Sequence, residues 1–179
     1  MNKKELKECL KFIEDNRFIY LDFLSKQIHG FPFICDFSSE ILAAYLLENF
    51  KLNVEVVEGY FDDNEDMVHY WIEIEGYSGK IDFTLCQFDE DYQDFMYKNM
   101  RKSFKGEDVD EILKGVDVYN DVIKDKIPFP FVENESSWND RFNYLDSRNY
   151  VWGNIAREAQ KSKGCFKTYL NNVAKYYNN

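Results

Sequence analysis

The sequence predicts an α+β domain in which a cysteine-bearing helix packs on a small antiparallel sheet, with helices on either side. Three observations predict it. Apolar residues recur every three to five positions in residues 3–28 and again from Asp89 onward, which is helical spacing. Between these stretches, residues 68–75 alternate strictly between apolar and polar, the period of a strand. A glycine-containing turn, Glu75-Gly76-Tyr77-Ser78-Gly79, then returns the chain through a second alternating phrase, Lys80-Ile81-Asp82-Phe83-Thr84.

In order, Leu6, Leu10, Ile13, Phe18, Leu21, Leu24 and Ile28 predict helix for the first segment. Asn16-Arg17 marks either a break into two helices or a solvated turn of one. Gly30 and Pro32 make residues 29–34 a loop. Cys35 follows at once, and Asp36-Phe37-Ser38-Ser39-Glu40 is rich in residues suited to a helix N-terminus. Ile41, Ala44, Tyr45 and Glu48 continue at helical spacing to about Asn49, so Cys35 lies at or just before the start of a helix. Val54, Val56 and Val57 favour a strand over residues 53–60, and the acidic run at residues 62–66 reads as an exposed loop. Strand signals fade after Asp89. Pro128 and Pro130 impose an extended crossing, and helical patterning resumes to Tyr176, with Gly164 a potential divider. The expected organisation is a single domain: a helical segment at 1–30, an α+β core at 31–88 and a mainly helical half at 89–179 packed on that core.

Composition narrows the function classes. Apolar residues make up 45% and aromatics 18% of 179 residues, enough for a packed core despite 31% charge. A net charge of −11 repels phosphate backbones and anionic headgroups, which argues against direct nucleic-acid binding. No apolar run approaches the ~18 residues of a membrane span, and the first residues are polar and periodic without a signal-peptide core. The expected compartment is therefore the cytoplasm, with Cys9, Cys35, Cys86 and Cys165 as reduced thiols. No CxxC spacing suggests zinc, and the acidic runs lack calcium-loop spacing, so neither metal nor organic cofactor is expected.

The chemistry resides in Cys35, His69 and Asp82. A cysteine nucleophile needs thiolate character, which a helix N-terminus and a neighbouring imidazolium both favour. It also needs a base oriented by a third group. A two-residue turn at Glu75-Gly76 would set His69 directly across from Asp82, whereas a turn at Tyr77-Ser78 would set Asp82 across from Glu73. His69 and Asp82 share a face in both registers, but only the first is expected to bring them into contact. The reaction such a trio serves is acyl transfer through a thioester. Each residue also has a structural alternative: a buried thiol, a histidine bonded to a backbone carbonyl, and a surface carboxylate beside a turn. Trp71 is expected to wall the site and exclude water, and Gln27 is the upstream amide nearest to Cys35. For the oxyanion, the Cys35 backbone N–H is the first candidate donor.

The run from Cys35 to Thr84 resembles the transglutaminase-like branch of the papain-like cysteine protease superfamily. In that branch a Cys opens a helix that often carries a serine, a strand ending near a Gly follows, then an H-x-W strand, then D-x-T. The corresponding residues are Cys35, Ser38 or Ser39, Val54 to Gly59, His69-Tyr70-Trp71 and Asp82-Phe83-Thr84. Phe33 stands where the family often has Gly, and Tyr70 where a small residue is common. The resemblance implies a papain-like fold and a peptidase, amidase or acyltransferase acting on a protein or peptide substrate, as in bacterial peptide-maturation peptidases, including those acting on lasso-peptide leaders. The competing expectation is a non-enzymatic acidic interaction or inhibitor protein that keeps this fold.

Overall fold

The structure, a computed structural model, describes residues 3–28, 34–50, 52–61, 64–84, 131–133 and 151–179. Its elements run α1 (Lys3–Gln27), α2 (Cys35–Asn49), β1 (Val54–Phe61), β2 (Asn64–Ile74) and β3 (Phe131–Glu133). A helical stretch over residues 151–161 (α3) and α4 (Phe166–Tyr177) follow. The loop expected at residues 29–33, Cys86, and the helical patterns of residues 89–130 and 134–150 lie outside the described residues.

α1 is one continuous helix. Asn16 does not break it, because its Nδ2 donates to the Phe12 carbonyl at 2.8 Å, and Arg17 pairs with Glu14 at 2.9 Å. Cys9, Ile13, Tyr20, Leu21 and Leu24 form its buried stripe, and Ile28 just beyond its end is buried as well. The exposed pairs Lys4–Glu8 and Lys11–Asp15 sit at i,i+4 spacing, worth about 0.3–0.5 kcal/mol each.

α2 is the central helix. Every residue from Ser38 to Leu46 is buried, so this helix has no solvent face along its middle. α1, the C-terminal helices and the β1–β2 pair pack around it. The Tyr20 hydroxyl of α1 donates to the Ser38 carbonyl at 2.5 Å, and the Tyr169 hydroxyl of α4 donates to the Ile41 carbonyl at 2.9 Å. Phe166 packs its ring against Phe12, Tyr20 and Tyr45 with centroids 5.2, 5.8 and 4.7 Å away. Arg157 of α3 pairs with Glu48 near the C-terminal end of α2. The C-terminal helices are thus part of the same core as α1 and α2.

The sheet has the order β2-β1-β3 and is antiparallel throughout. β1 and β2 pair from Val54↔Ile74 to Tyr60↔Val68, after which the register shifts. Val54, Val56, Ile72 and Ile74 face the core around α2. By strand alternation, Val57, His69 and Trp71 occupy the other face, and all three are buried as well. A single polar outward face, as strict alternation predicts, therefore does not describe this sheet.

Three further expectations are corrected. Residues 64–66 of the acidic run belong to β2, because the ladder continues past Val68 after a register shift. Strand structure does not end at Asp89: β3 pairs with β1 through Gly59↔Glu133, Tyr60↔Val132 and Phe61↔Phe131, so the sheet draws on both halves of the chain. Finally, Lys80-Ile81-Asp82-Phe83-Thr84 is not a strand but an irregular segment that touches β2 through one bridge, Ile72↔Ile81.

The division between α3 and α4 carries a local strain. Lys163 has φ 55°, the left-handed conformation that ends a helix. Gly164 donates to the Ala159 carbonyl at 2.7 Å and Lys163 to the Gln160 carbonyl at 3.0 Å. The residue that needs glycine's freedom is therefore Lys163, one position before the glycine. Lys163→Gly is expected to raise unfolding stability by about 0.5–1 kcal/mol, read by urea denaturation. At Gly164 an added Cβ would sit 3.0 Å from the Ala159 carbonyl oxygen, so Gly164→Ala should destabilise.

Candidate active site

The turn after β2 sets the geometry. Tyr77 N–H donates to the Ile74 carbonyl at 2.9 Å, closing a β-turn whose third residue, Gly76, has φ 79°. Ile72 and Ile81 then exchange backbone hydrogen bonds of 2.9 and 3.0 Å. This register lies midway between the two that the turn residues suggested. Continued as a ladder, it would make His69 and Asp82 diagonal neighbours and not directly opposed ones. Contact does not require them to be directly opposed: His69 Nε2 lies 2.6 Å from Asp82 Oδ2, and both side chains are fully buried.

What makes the diagonal contact work is a local turn within the D-x-T phrase. Asp82 Oδ1 accepts from the Thr84 backbone N–H at 2.8 Å and from the Thr84 hydroxyl at 3.0 Å. These bonds bend the chain away from a ladder, which explains the missing strand. They also satisfy one carboxylate oxygen and aim the other at the imidazole. Thr84 was visible in the sequence as part of a phrase, but its role as the anchor of Asp82 was not. Thr84→Val keeps the shape and removes one donor to a buried carboxylate, so it should lower stability by about 1–3 kcal/mol, with Thr84→Ser restoring most of it in the same denaturation assay.

Cys35 is the first residue of α2 and is half-buried. Ile34 precedes it as the N-cap, a residue without a capping side chain. The first hydrogen bond of the helix runs from Ser38 N–H to the Ile34 carbonyl at 2.8 Å, so the N–H groups of Cys35, Asp36 and Phe37 have no acceptor within the helix. Ser39 Oγ donates to the Tyr70 carbonyl at 3.2 Å, which pins this end of α2 to β2 beside His69. The Cys35 sulfur lies beside the His69 ring, close enough to raise its proton affinity. With Nε2 engaged by Asp82, Nδ1 is the ring nitrogen left for the sulfur.

Burial alone would lower the proton affinity of His69. The Asp82 carboxylate and the Cys35 sulfur override it and raise the imidazole from 6.5 to about 9. The ring is therefore held as imidazolium through neutral pH. Trp71 lies alongside, with ring centroids 6.5 Å apart and planes 28° from parallel, and is buried. Gln27 is the last residue of α1 and is exposed. The structure thus brings Cys35, His69, Asp82 and Trp71 together, while Gln27 has no hydrogen bond to them.

The other described thiols differ from Cys35. Cys9 is buried in the core, and burial pushes its thiol up to about 12. Cys165 is exposed at the N-cap of α4, where the Thr168 backbone N–H, followed by the Thr168 hydroxyl, lowers its thiol. Sequence reading missed this lowered thiol, although its place before a helical run was a usable signal. Among the described residues, no three of His, Cys, Asp or Glu are grouped to hold a metal ion, and no helix is long and apolar enough to cross a membrane. Comparison of the chain with protein-family models, with curated proteins and with solved structures found no match.

Proposed function

We propose that this protein is a cysteine-nucleophile acyl hydrolase or acyltransferase with a transglutaminase-like core, acting on peptide or side-chain amides. The observation that carries this reading is the buried His69–Asp82 pair, 2.6 Å apart, with the half-exposed Cys35 at the start of α2 beside the ring. A cysteine attacks as its thiolate. The thiolate attacks the amide carbonyl, forming a C–S bond as the oxygen takes up negative charge, and the uncapped N–H groups at the start of α2 are the donors proposed for that charge. Collapse of this intermediate breaks the C–N bond, and the His69 imidazolium gives its proton to the departing amine. Neutral His69 then takes a proton from water or an acceptor amine, which attacks the thioester and releases Cys35. Throughout, Asp82 holds the ring in place and stabilises its charge.

The substrate class is tested by trapping the thioester. Incubation with a panel of peptide amides and hydroxylamine should yield hydroxamates from the wild-type protein and none from Cys35→Ala. Equal yields from both proteins would contradict the assignment of Cys35.

A further inference from the structure

We propose that Glu73 is a positioning residue for this site, acting through Trp71: its carboxylate latches the indole N–H and so holds the ring that shields His69 and Asp82 from water. Trp71 Nε1 donates to Glu73 Oε1 at 2.9 Å. The same oxygen accepts from Lys80 across the turn, and the two charged side chains remain about a third exposed at 29% and 32%. The latch therefore sits at the solvent boundary, while the groups it governs, Trp71 and His69, are buried at 1% and 0% exposure.

The arrangement follows from the strand. His69, Trp71 and Glu73 alternate onto one face of β2, and Glu73 reaches back two residues to its neighbour. Glu55 is the register partner of Glu73 across the ladder, a like charge that by itself would push the Glu73 carboxylate away. Lys80 offsets that repulsion and keeps the carboxylate beside the indole. A buried indole N–H without an acceptor would be unfavourable, so loss of Glu73 releases Trp71 to turn its polar edge toward water. Water admitted there would screen Asp82 from His69, lowering the ring's proton affinity, while relief of its burial acts the other way and stops the fall at the ordinary value. The imidazole would then relax from its raised value toward the ordinary one.

The inference takes His69 as the base proposed above, but its test reads the ring and not turnover. Imidazole C–H resonances are followed by NMR from pH 5 to about 10 in the full chain, where His29 is the one other histidine. Glu73→Leu is expected to move the His69 titration down by at least about one pH unit. Glu73→Gln, which loses the charge but keeps an oxygen acceptor, should leave it within a few tenths of wild type. Trp71→Phe, which cuts the latch from the other end, should shift the titration as Glu73→Leu does, and the double variant no further. A folded Glu73→Leu protein with an unmoved titration overturns the proposal, as does Glu73→Gln shifting as far as Glu73→Leu. If Glu73→Leu fails to fold, Trp71→Phe decides: a downward shift supports the latch and an unmoved ring overturns it. Hydroxamate formation by Cys35→Ala, or none by the wild-type protein, would remove the proposed cysteine chemistry and leave this titration standing, so the two failures are distinguishable.

Discussion

Asp82→Ala is expected to destabilise the protein by about 3–5 kcal/mol, the range for removing one partner of a buried ion pair. His69 and Asp82 lie 2.6 Å apart with side chains 0% and 1% exposed, so water cannot take over the lost contact without opening the fold. Two further donors are orphaned at the same time, the Thr84 N–H and its hydroxyl. Against a typical total of about 5–15 kcal/mol, such a loss should move the urea midpoint far to the left. The imidazole in the folded variant would feel burial without its main counter-charge, so it should titrate below its ordinary 6.5. Asp82→Asn should have a smaller effect, because an amide oxygen can still accept from Thr84. A variant as stable as wild type would show that the carboxylate is not paired in solution.

Stability should fall as pH is raised from about 6.5 to about 9. His69 binds its proton more tightly folded, near 9, than in an unfolded chain, near 6.5. Its contribution is therefore fully present below about pH 6.5 and is lost as pH climbs through 9. Integrated over the difference, this is at most about 3 kcal/mol. Chemical denaturation at pH 6, 7.5 and 9 measures it, and the slope should be absent in Asp82→Ala. A flat profile in the wild-type protein would mean that the ring does not carry its charge in the fold.

Much of this site was legible because chemistry and periodicity coincided. Cys35 beside a run of helix-starting residues, and His69 and Asp82 on one face of alternating phrases, required only local reasoning. The register did not yield to it, since Glu75-Gly76-Tyr77-Ser78-Gly79 supports several turns, and the one adopted depends on a positive φ at Gly76 with a longer return. The Lys80–Thr84 phrase alternates like a strand, yet the Thr84 bonds to Asp82 bend it, a competition between side chain and backbone that periodicity does not register. β3 escaped notice because three residues after a proline pair have no period of their own, and they become strand by completing the edge of β1. The burial of both sheet faces was hidden for a related reason: His69 reads as polar, but its pairing with Asp82 lets it sit inside.

The exposed, lowered thiol of Cys165 bears on how the nucleophile is examined, because it competes for any electrophile. Iodoacetamide labelling resolved by mass spectrometry is therefore best done in Cys165→Ser. At pH 7, Cys35 should be modified at least about tenfold faster than buried Cys9, and its own rate should fall markedly in His69→Ala. Labelling of Cys35 at the same rate with and without the His69 ring would contradict the claim that imidazole and sulfur act as one unit.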